Sequence, residues 1–87
     1  MTYEWNEKKR ESNIIDRGLD FLLAPLIYEY QDKLTIRSQY EDETRWIDMA
    51  EVDNRVLVMV YTMRDDAVRV ISLRHASRKE RRLYHGG

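Results

Sequence analysis

The stretch that most limits the fold of this chain is Val56 to Met63, where apolar residues occupy both alternating faces: Val56, Val58 and Val60 on one, Leu57, Met59, Tyr61 and Met63 on the other. A strand without a polar face belongs in the middle of a sheet that is covered on both sides. Asp65-Asp66 follows, and then a second β-branched run that ends at Leu73, so the two runs read as a hairpin. If Asp65-Asp66 is the whole loop, Arg64 sits opposite Ala67, and the register pairs Thr62 with Arg69, Tyr61 with Val70, Val60 with Ile71 and Met59 with Ser72. Arg64 and Arg69 then share a face near the turn. Arg74 falls on the other face, near Leu57, and only a twist or a bulge would gather all three arginines.

Past the hairpin, Ser77 precedes Glu80 by three residues, the spacing of a capping box, and a last helix is predicted from Ser77. It carries Arg78, Lys79, Arg81 and Arg82, with Leu83 and Tyr84 as its few anchors. His85-Gly86-Gly87 reads as a loose end. This basic segment explains why a net charge of −1 is misleading. Residues 1 to 68 hold nine basic and fifteen acidic side chains, a net −6, while residues 69 to 87 hold six basic and one acidic, a net +5. Such an end suits phosphate groups or an acidic partner, and equally a solvated helix face that balances the acidic remainder.

Towards the N-terminus, Tyr3-Glu4-Trp5 is long enough for a short edge strand. Asn6 can cap a helix from Glu7 to Arg17, with Gly18 as its left-handed end. Lys9, Asn13 and Arg17 lie four apart on a polar stripe, which spacing alone reads as solvated surface, while Ile14 and Ile15 are expected to face the sheet. Asp20 to Tyr30 reads as a second helix that Pro25 kinks or starts late, with Tyr28 and Tyr30 in the core and at its rim. Lys33 to Gln39 and Arg45 to Ala50 read as outer strands, joined by the acidic connection Tyr40 to Thr44, with Trp46 buried against the sheet. Glu51 to Asn54 turns the chain into the central strand. The fold class is therefore α+β: a short N-terminal strand, two helices, a four-stranded antiparallel meander and a basic C-terminal helix. With 87 residues, it is expected to be one small domain, 1–87, with a modest core.

Several chemistries are excluded on composition. The chain has no cysteine, so it offers neither a disulfide framework nor a thiolate metal site, and its two histidines are too few for a metal cage. A reducing cytoplasm fits, and no stretch is apolar enough for a membrane span or a secretory signal. A glycine-rich phosphate loop, HExxH and GxSxG are all missing, and no cofactor is expected. Arginine and lysine remain, the side chains best suited to gripping phosphate.

Over nearly its whole length the chain resembles the BrnT toxins of bacterial type II toxin-antitoxin systems. The resemblance is carried by an ordered set: Tyr3-Glu4-Trp5, Lys9, Asn13, Gly18 and Phe21; Arg45 and Arg55; Val60-Tyr61-Thr62 and Arg64; Arg69, Ile71-Ser72, Arg74, Ala76, Glu80-Arg81 and Tyr84. It implies a compact relative of the RelE-type ribonucleases that cleaves RNA without a metal and inhibits translation. It also implies inhibition by a cognate BrnA-type antitoxin and, through that antitoxin, contact with operator DNA and repression of the shared operon. The chain departs from the family by carrying Arg17 where histidine is common, and by lacking glycine near Ala50, Asn54 and Asp65. Arginine stays protonated and cannot act as an ordinary base. Two readings follow: a toxin that cleaves by another route, or a weakened homologue kept as a partner in an autoregulating repressor complex.

A metal-free ribonuclease must activate a 2′-hydroxyl, stabilise the phosphorane and protonate the leaving oxygen, and guanidinium groups serve the second task directly. The family pattern together with that need assigns Lys9, Arg17, Arg64, Arg69 and Arg74 to the catalytic set, with Arg78, Arg81 and Arg82 binding RNA. Plainer roles stand beside these. Arg69 can pair with Asp65 or Asp66, Glu80 reads as a helix cap, and Tyr61 as a packed ring. His75 reads as an exposed bystander, and Trp5 and Trp46 as core anchors before they are stacking platforms for bases.

Overall fold

The computed structural model describes residues 1–86. Its elements are β1 (Thr2–Glu4), α1 (Glu7–Arg17), a 3-10 turn (Phe21–Leu23), α2 (Ala24–Tyr28), β2 (Leu34–Tyr40), β3 (Glu43–Val52), β4 (Arg55–Arg64), β5 (Ala67–His75) and α3 (Arg78–Tyr84). The five strands form one sheet in the order β1-β5-β4-β3-β2, so the all-apolar strand is indeed the middle one. Leu57, Val58 and Met59 are wholly buried there.

The N-terminal strand is more than an appendage to a meander. It pairs parallel with β5, Tyr3 against Val68 and Glu4 against Arg69, making the sheet mixed. The outer edge of β5 would otherwise be a row of bare backbone groups. β1 covers only its first residues. Further along, the Asn13 side chain takes over, donating to the Leu73 carbonyl at 2.8 Å and accepting from the Leu73 N–H at 3.1 Å. The helix carrying Asn13 is thereby fastened to the strand edge by polar bonds. Ile15 is 81% exposed and Ile14 38%, contrary to the expectation that both face the sheet. Bonds from Arg10 to Asp20 at 2.8 and 3.0 Å complete the attachment.

The predicted caps are in place. The Asn6 side chain accepts from Lys9 N, Gly18 ends α1 at φ 71°, and Ser77 and Glu80 form a reciprocal capping box at the start of α3. Pro25 lies in the first turn of α2, where its missing N–H costs nothing, so it starts a late helix. The acidic connection shrinks to Glu41-Asp42, because β2 and β3 run on to Tyr40 and from Glu43, with Glu41 at φ 54°. At the β3–β4 turn both Asp53 and Asn54 have positive φ, and Asp65 has φ 55°. Asn and Asp tolerate this region best among residues with a side chain. His85 is not loose: its N–H bonds the Arg81 carbonyl and Gly86 bonds Leu83. Gly87 lies outside the described residues.

Apolar side chains pack on both sheet faces. One layer joins Leu19, Phe21, Ala24 and Ile27 to Leu57, Met59, Tyr61, Val68, Val70 and Leu73, with Trp5 and Trp46 partly buried against it. The other joins Met49, Val56, Val58 and Ala76 beneath α3, with Tyr84 packed on them.

The β4–β5 register follows expectation from the turn as far as Tyr61 opposite Val70, and then breaks at a bulge between Val60 and Tyr61. Val60 faces Ser72 instead of Ile71, and Met59 faces Leu73 instead of Ser72. The extra residue on β5 reverses the facing of everything beyond it. Leu73 is thereby turned into the helix-side core, and Arg74 lands opposite Val58, on the α3 side.

Candidate functional site

The bulge decides how the candidate arginines are arranged. Paired residues share a face, so Arg64 beside Ala67, Arg69 beside Thr62 and Arg74 beside Val58 all stand on the α3 side of the sheet. An unbroken register would have sent Arg74 to the opposite side.

The three are in different electrostatic states. Arg64 is exposed next to the turn and makes no ion pair among the described residues. Arg69 is half-buried and its Nη1 lies 3.3 Å from Glu4 Oε1, so its partner is the neighbouring strand's carboxylate rather than Asp65 or Asp66. Arg74 grips Glu80 with both terminal nitrogens, at 2.6 and 2.8 Å. That guanidinium and the amide of Ser77 hold the Glu80 carboxyl down at about 2, against burial that acts in the opposite direction. Glu80 is thus a cap and an ionised anchor. A carboxylate so acidic is unsuited to taking a proton at neutral pH.

Lys9 and Arg17 do not join that face. Asn13, midway between them on the α1 stripe, is bonded to the β5 edge, so Lys9 and Arg17 stand one turn to either side along that edge. Both are exposed and neither forms an ion pair among the described residues. The stripe is therefore more than solvated surface, since its middle member is structural.

The basic helix separates two concavities. On one flank, Lys79, Arg82 and Leu83 border an open cleft of about 760 Å³ whose floor is Ile36, Ile47 and Met49. On the other, Arg81 lines a smaller pocket of about 260 Å³, and its Nη1 donates to the Ala76 carbonyl at 2.9 Å. Arg78 is exposed in the first turn of α3. Arg78, Arg81 and Arg82 hence do not present a single surface.

Sequence reasoning missed a polar cluster on the helix side of the sheet. Asp48 is wholly buried, accepting from Lys33 Nζ at 2.8 Å and Thr35 Oγ1 at 2.7 Å. The lysine ammonium also lies 4.0 Å over the Tyr28 ring, which meets Tyr61 edge to face at 5.5 Å. Burial, and then the Asp48 charge, push the Tyr61 phenol far up, so this hydroxyl is a packed core group, as expected, and no proton donor at neutral pH. The alternation of β2 and β3 could have flagged Asp48, an acid at an inward position. Among the described residues, no three His, Asp or Glu side chains are placed to hold a metal ion.

Comparison with known proteins adds the family. A family model described as the ribonuclease toxin, BrnT, of type II toxin-antitoxin systems matches residues 5–80. A search of curated proteins finds no match. The matched span runs from Trp5 through Glu80 and so contains Lys9, Arg17, Arg64, Arg69 and Arg74, while Arg81, Arg82 and His85 lie beyond it.

Proposed function

Because this chain belongs to the BrnT family of ribonuclease toxins of type II toxin-antitoxin systems, we propose that it cleaves RNA without a metal ion, inhibits translation by doing so, and is silenced by a BrnA-like antitoxin. Membership of a type II family implies a protein antitoxin as partner. Contact with operator DNA is made through that antitoxin, and the chain is a compact relative of RelE-type toxins acting in the cytoplasm. No helix of the described residues is long and apolar enough to cross a membrane.

The observation that carries the reading is the bulge-built face bearing Arg64, Arg69 and Arg74. Fixed guanidinium groups on one sheet face suit the charge that builds on a phosphorane, and losing one such donor costs about 10²-fold or more in rate. Arg64 is the free member and makes the direct clamp. Arg69 and Arg74 contribute charge while tied to Glu4 and Glu80. Lys9 and Arg17 supply positive charge at the β5 edge, where an RNA backbone leaving that face would pass, and Arg78, Arg81 and Arg82 extend the basic surface.

One observation favours a second reading, in which the chain serves an antitoxin–DNA repressor without cutting RNA: two of the three arginines are neutralised by carboxylates. Controlled expression in cells separates the two. The ribonuclease reading expects growth arrest and fragmented total RNA, both abolished by Arg64→Ala. Normal growth and intact RNA from a folded, abundant protein would overturn it.

A further inference from the structure

The face that carries Arg64 also carries an exposed aromatic ring. Leu34, Ile36, Ser38 and Tyr40 alternate on one side of β2, and Leu34 and Ile36 pack into the layer beneath α3, so Tyr40 faces that side from the far end of the strand. It is 51% exposed. Ser38 pairs with Arg45 and Tyr40 with Glu43, which puts those two β3 residues on the same side. Continuing the pairing of Trp46 with Tyr61 by one residue sets Arg45 beside Thr62, whose other neighbour is Arg69, and by three residues sets Glu43 beside Arg64. The Thr62 hydroxyl keeps the two strands together there, donating to the Thr44 carbonyl at 2.8 Å. Tyr40, Glu43 and Arg64 thus form one row across three neighbouring strands, about 10 Å from end to end.

The surroundings of the ring are built and held. The Arg45 guanidinium lies 4.0 Å from the centre of the Tyr40 ring, and its Nε donates to Glu43 at 2.9 Å, which fixes it over one face of the ring. From the opposite side of the sheet Gln39 braces the two-residue turn, its amide donating to the Glu41 carbonyl at 3.2 Å and accepting from the Thr44 hydroxyl at 3.3 Å. Tyr40, Arg45 and the carboxylates Glu41, Asp42 and Glu43 line an open pocket of about 380 Å³. Arg45 neutralises Glu43, while Glu41 and Asp42 form no ion pair among the described residues. Bare carboxylates repel a phosphate but accept hydrogen bonds from the amino groups of a base. A ring to stack on, with acceptors at its rim, suits the base of a nucleotide whose phosphate lies further along the row, on Arg64.

We propose that this pocket is a nucleobase subsite for the RNA substrate, in which Tyr40 backed by Arg45 is the stacking surface and Glu41 and Asp42 favour adenine, cytosine and guanine, which carry an amino group, over uracil, which does not. The assignment rests on the ribonuclease reading above. It supplies what the arginines leave open, because guanidinium groups grip the phosphates of any sequence alike and a choice of base needs contacts to the base itself. A base seated on Tyr40 also holds the adjoining backbone against Arg64, so the pocket positions the strand and moves no proton.

The test is binding of the purified chain to fluorescently labelled oligo(A), oligo(C) and oligo(U), made 2′-O-methyl so that they cannot be cut, alongside cleavage of the same sequences as RNA. The variants are Tyr40→Ala, Tyr40→Phe and the double change Glu41→Gln with Asp42→Asn. Tyr40→Ala should weaken binding to oligo(A) and oligo(C) about 10-fold and raise KM by a similar factor, while Tyr40→Phe, which keeps the ring, should stay within about 2-fold of the parent. The salt dependence of binding should be the same in Tyr40→Ala as in the parent, because a stacked ring releases no counterion, whereas Arg64→Ala should lower its slope by about one. The double change should narrow the preference for oligo(A) and oligo(C) over oligo(U). Melting curves of Tyr40→Ala should match the parent, because the ring is exposed. Parent affinity in Tyr40→Ala, or an equal loss in Tyr40→Ala and Tyr40→Phe, overturns the stacking assignment, while cleavage by the parent keeps the ribonuclease reading in place. Equal binding of all three sequences by the parent, or a preference that survives the double change, overturns the part given to Glu41 and Asp42. A parent that shows the expected binding but leaves RNA uncut overturns the ribonuclease reading alone, and one that binds no RNA overturns both.

Discussion

Glu80→Gln removes one charge and little else. Glutamine retains the capping geometry with Ser77 and can still hydrogen-bond Arg74, so the variant isolates the ionic part of the contact that ties α3 to β5. The carboxyl is held at about 2 against an ordinary 4.5. At about 1.36 kcal/mol per pH unit, that difference sets a ceiling of about 3.4 kcal/mol. Solvent reaches 31% of the Arg74 side chain and 22% of the Glu80 side chain, which screens the pair and brings the expected value to about 2 kcal/mol. A carboxyl whose folded-state value is depressed stabilises fully above its unfolded value and loses that stabilisation as pH falls through the folded one. The parent should therefore exceed Glu80→Gln by about 2 kcal/mol in urea unfolding at pH 7, and by about 1 kcal/mol or less at pH 3. A gap that is absent at pH 7, or equal at both pH values, would refute the reasoning.

Three further substitutions probe other parts of the structure. Asp48→Ala leaves the Lys33 ammonium partly buried without its carboxylate and should cost about 3 kcal/mol in urea unfolding, among the largest single losses in the chain. Asn13→Ala exposes the Leu73 N–H and C=O on the β5 edge and should cost about 2 kcal/mol, with faster hydrogen exchange at the Leu73 amide as the local signature. Arg64→Ala should change stability by no more than about 0.5 kcal/mol because its side chain is exposed and forms no ion pair among the described residues, while Arg74→Ala should destabilise α3 as well, which thermal melts of the two variants would separate.

What was legible beforehand was governed by short sequence separations. The central strand follows from apolar residues on both faces, and the caps at Asn6, Gly18 and Ser77 from side chains that reach amides within a turn. The hairpin register held near its loop for the same reason. It failed at the bulge because Ile71, Ser72 and their neighbours are all acceptable strand residues, and what selects the extra residue is the burial of Leu73, a property of the assembled core. Arg69 found Glu4 from the far end of the chain, a pairing that required knowing that β1 runs parallel beside β5. The candidate arginines were readable by residue type and resemblance. Which of them are free was not, because that depends on the carboxylates each meets after folding.

The central claim is that this chain cuts RNA with its own side chains. Its most direct test is incubation of the purified protein with single-stranded RNA in excess chelator, with the fragment ends identified and Arg64→Ala run alongside. The account predicts fragments bearing 2′,3′-cyclic phosphate and 5′-hydroxyl ends from the parent, and a rate lower by about 10²-fold or more from the variant. Intact RNA with the parent, or cleavage that appears only when a divalent metal is restored, would contradict it.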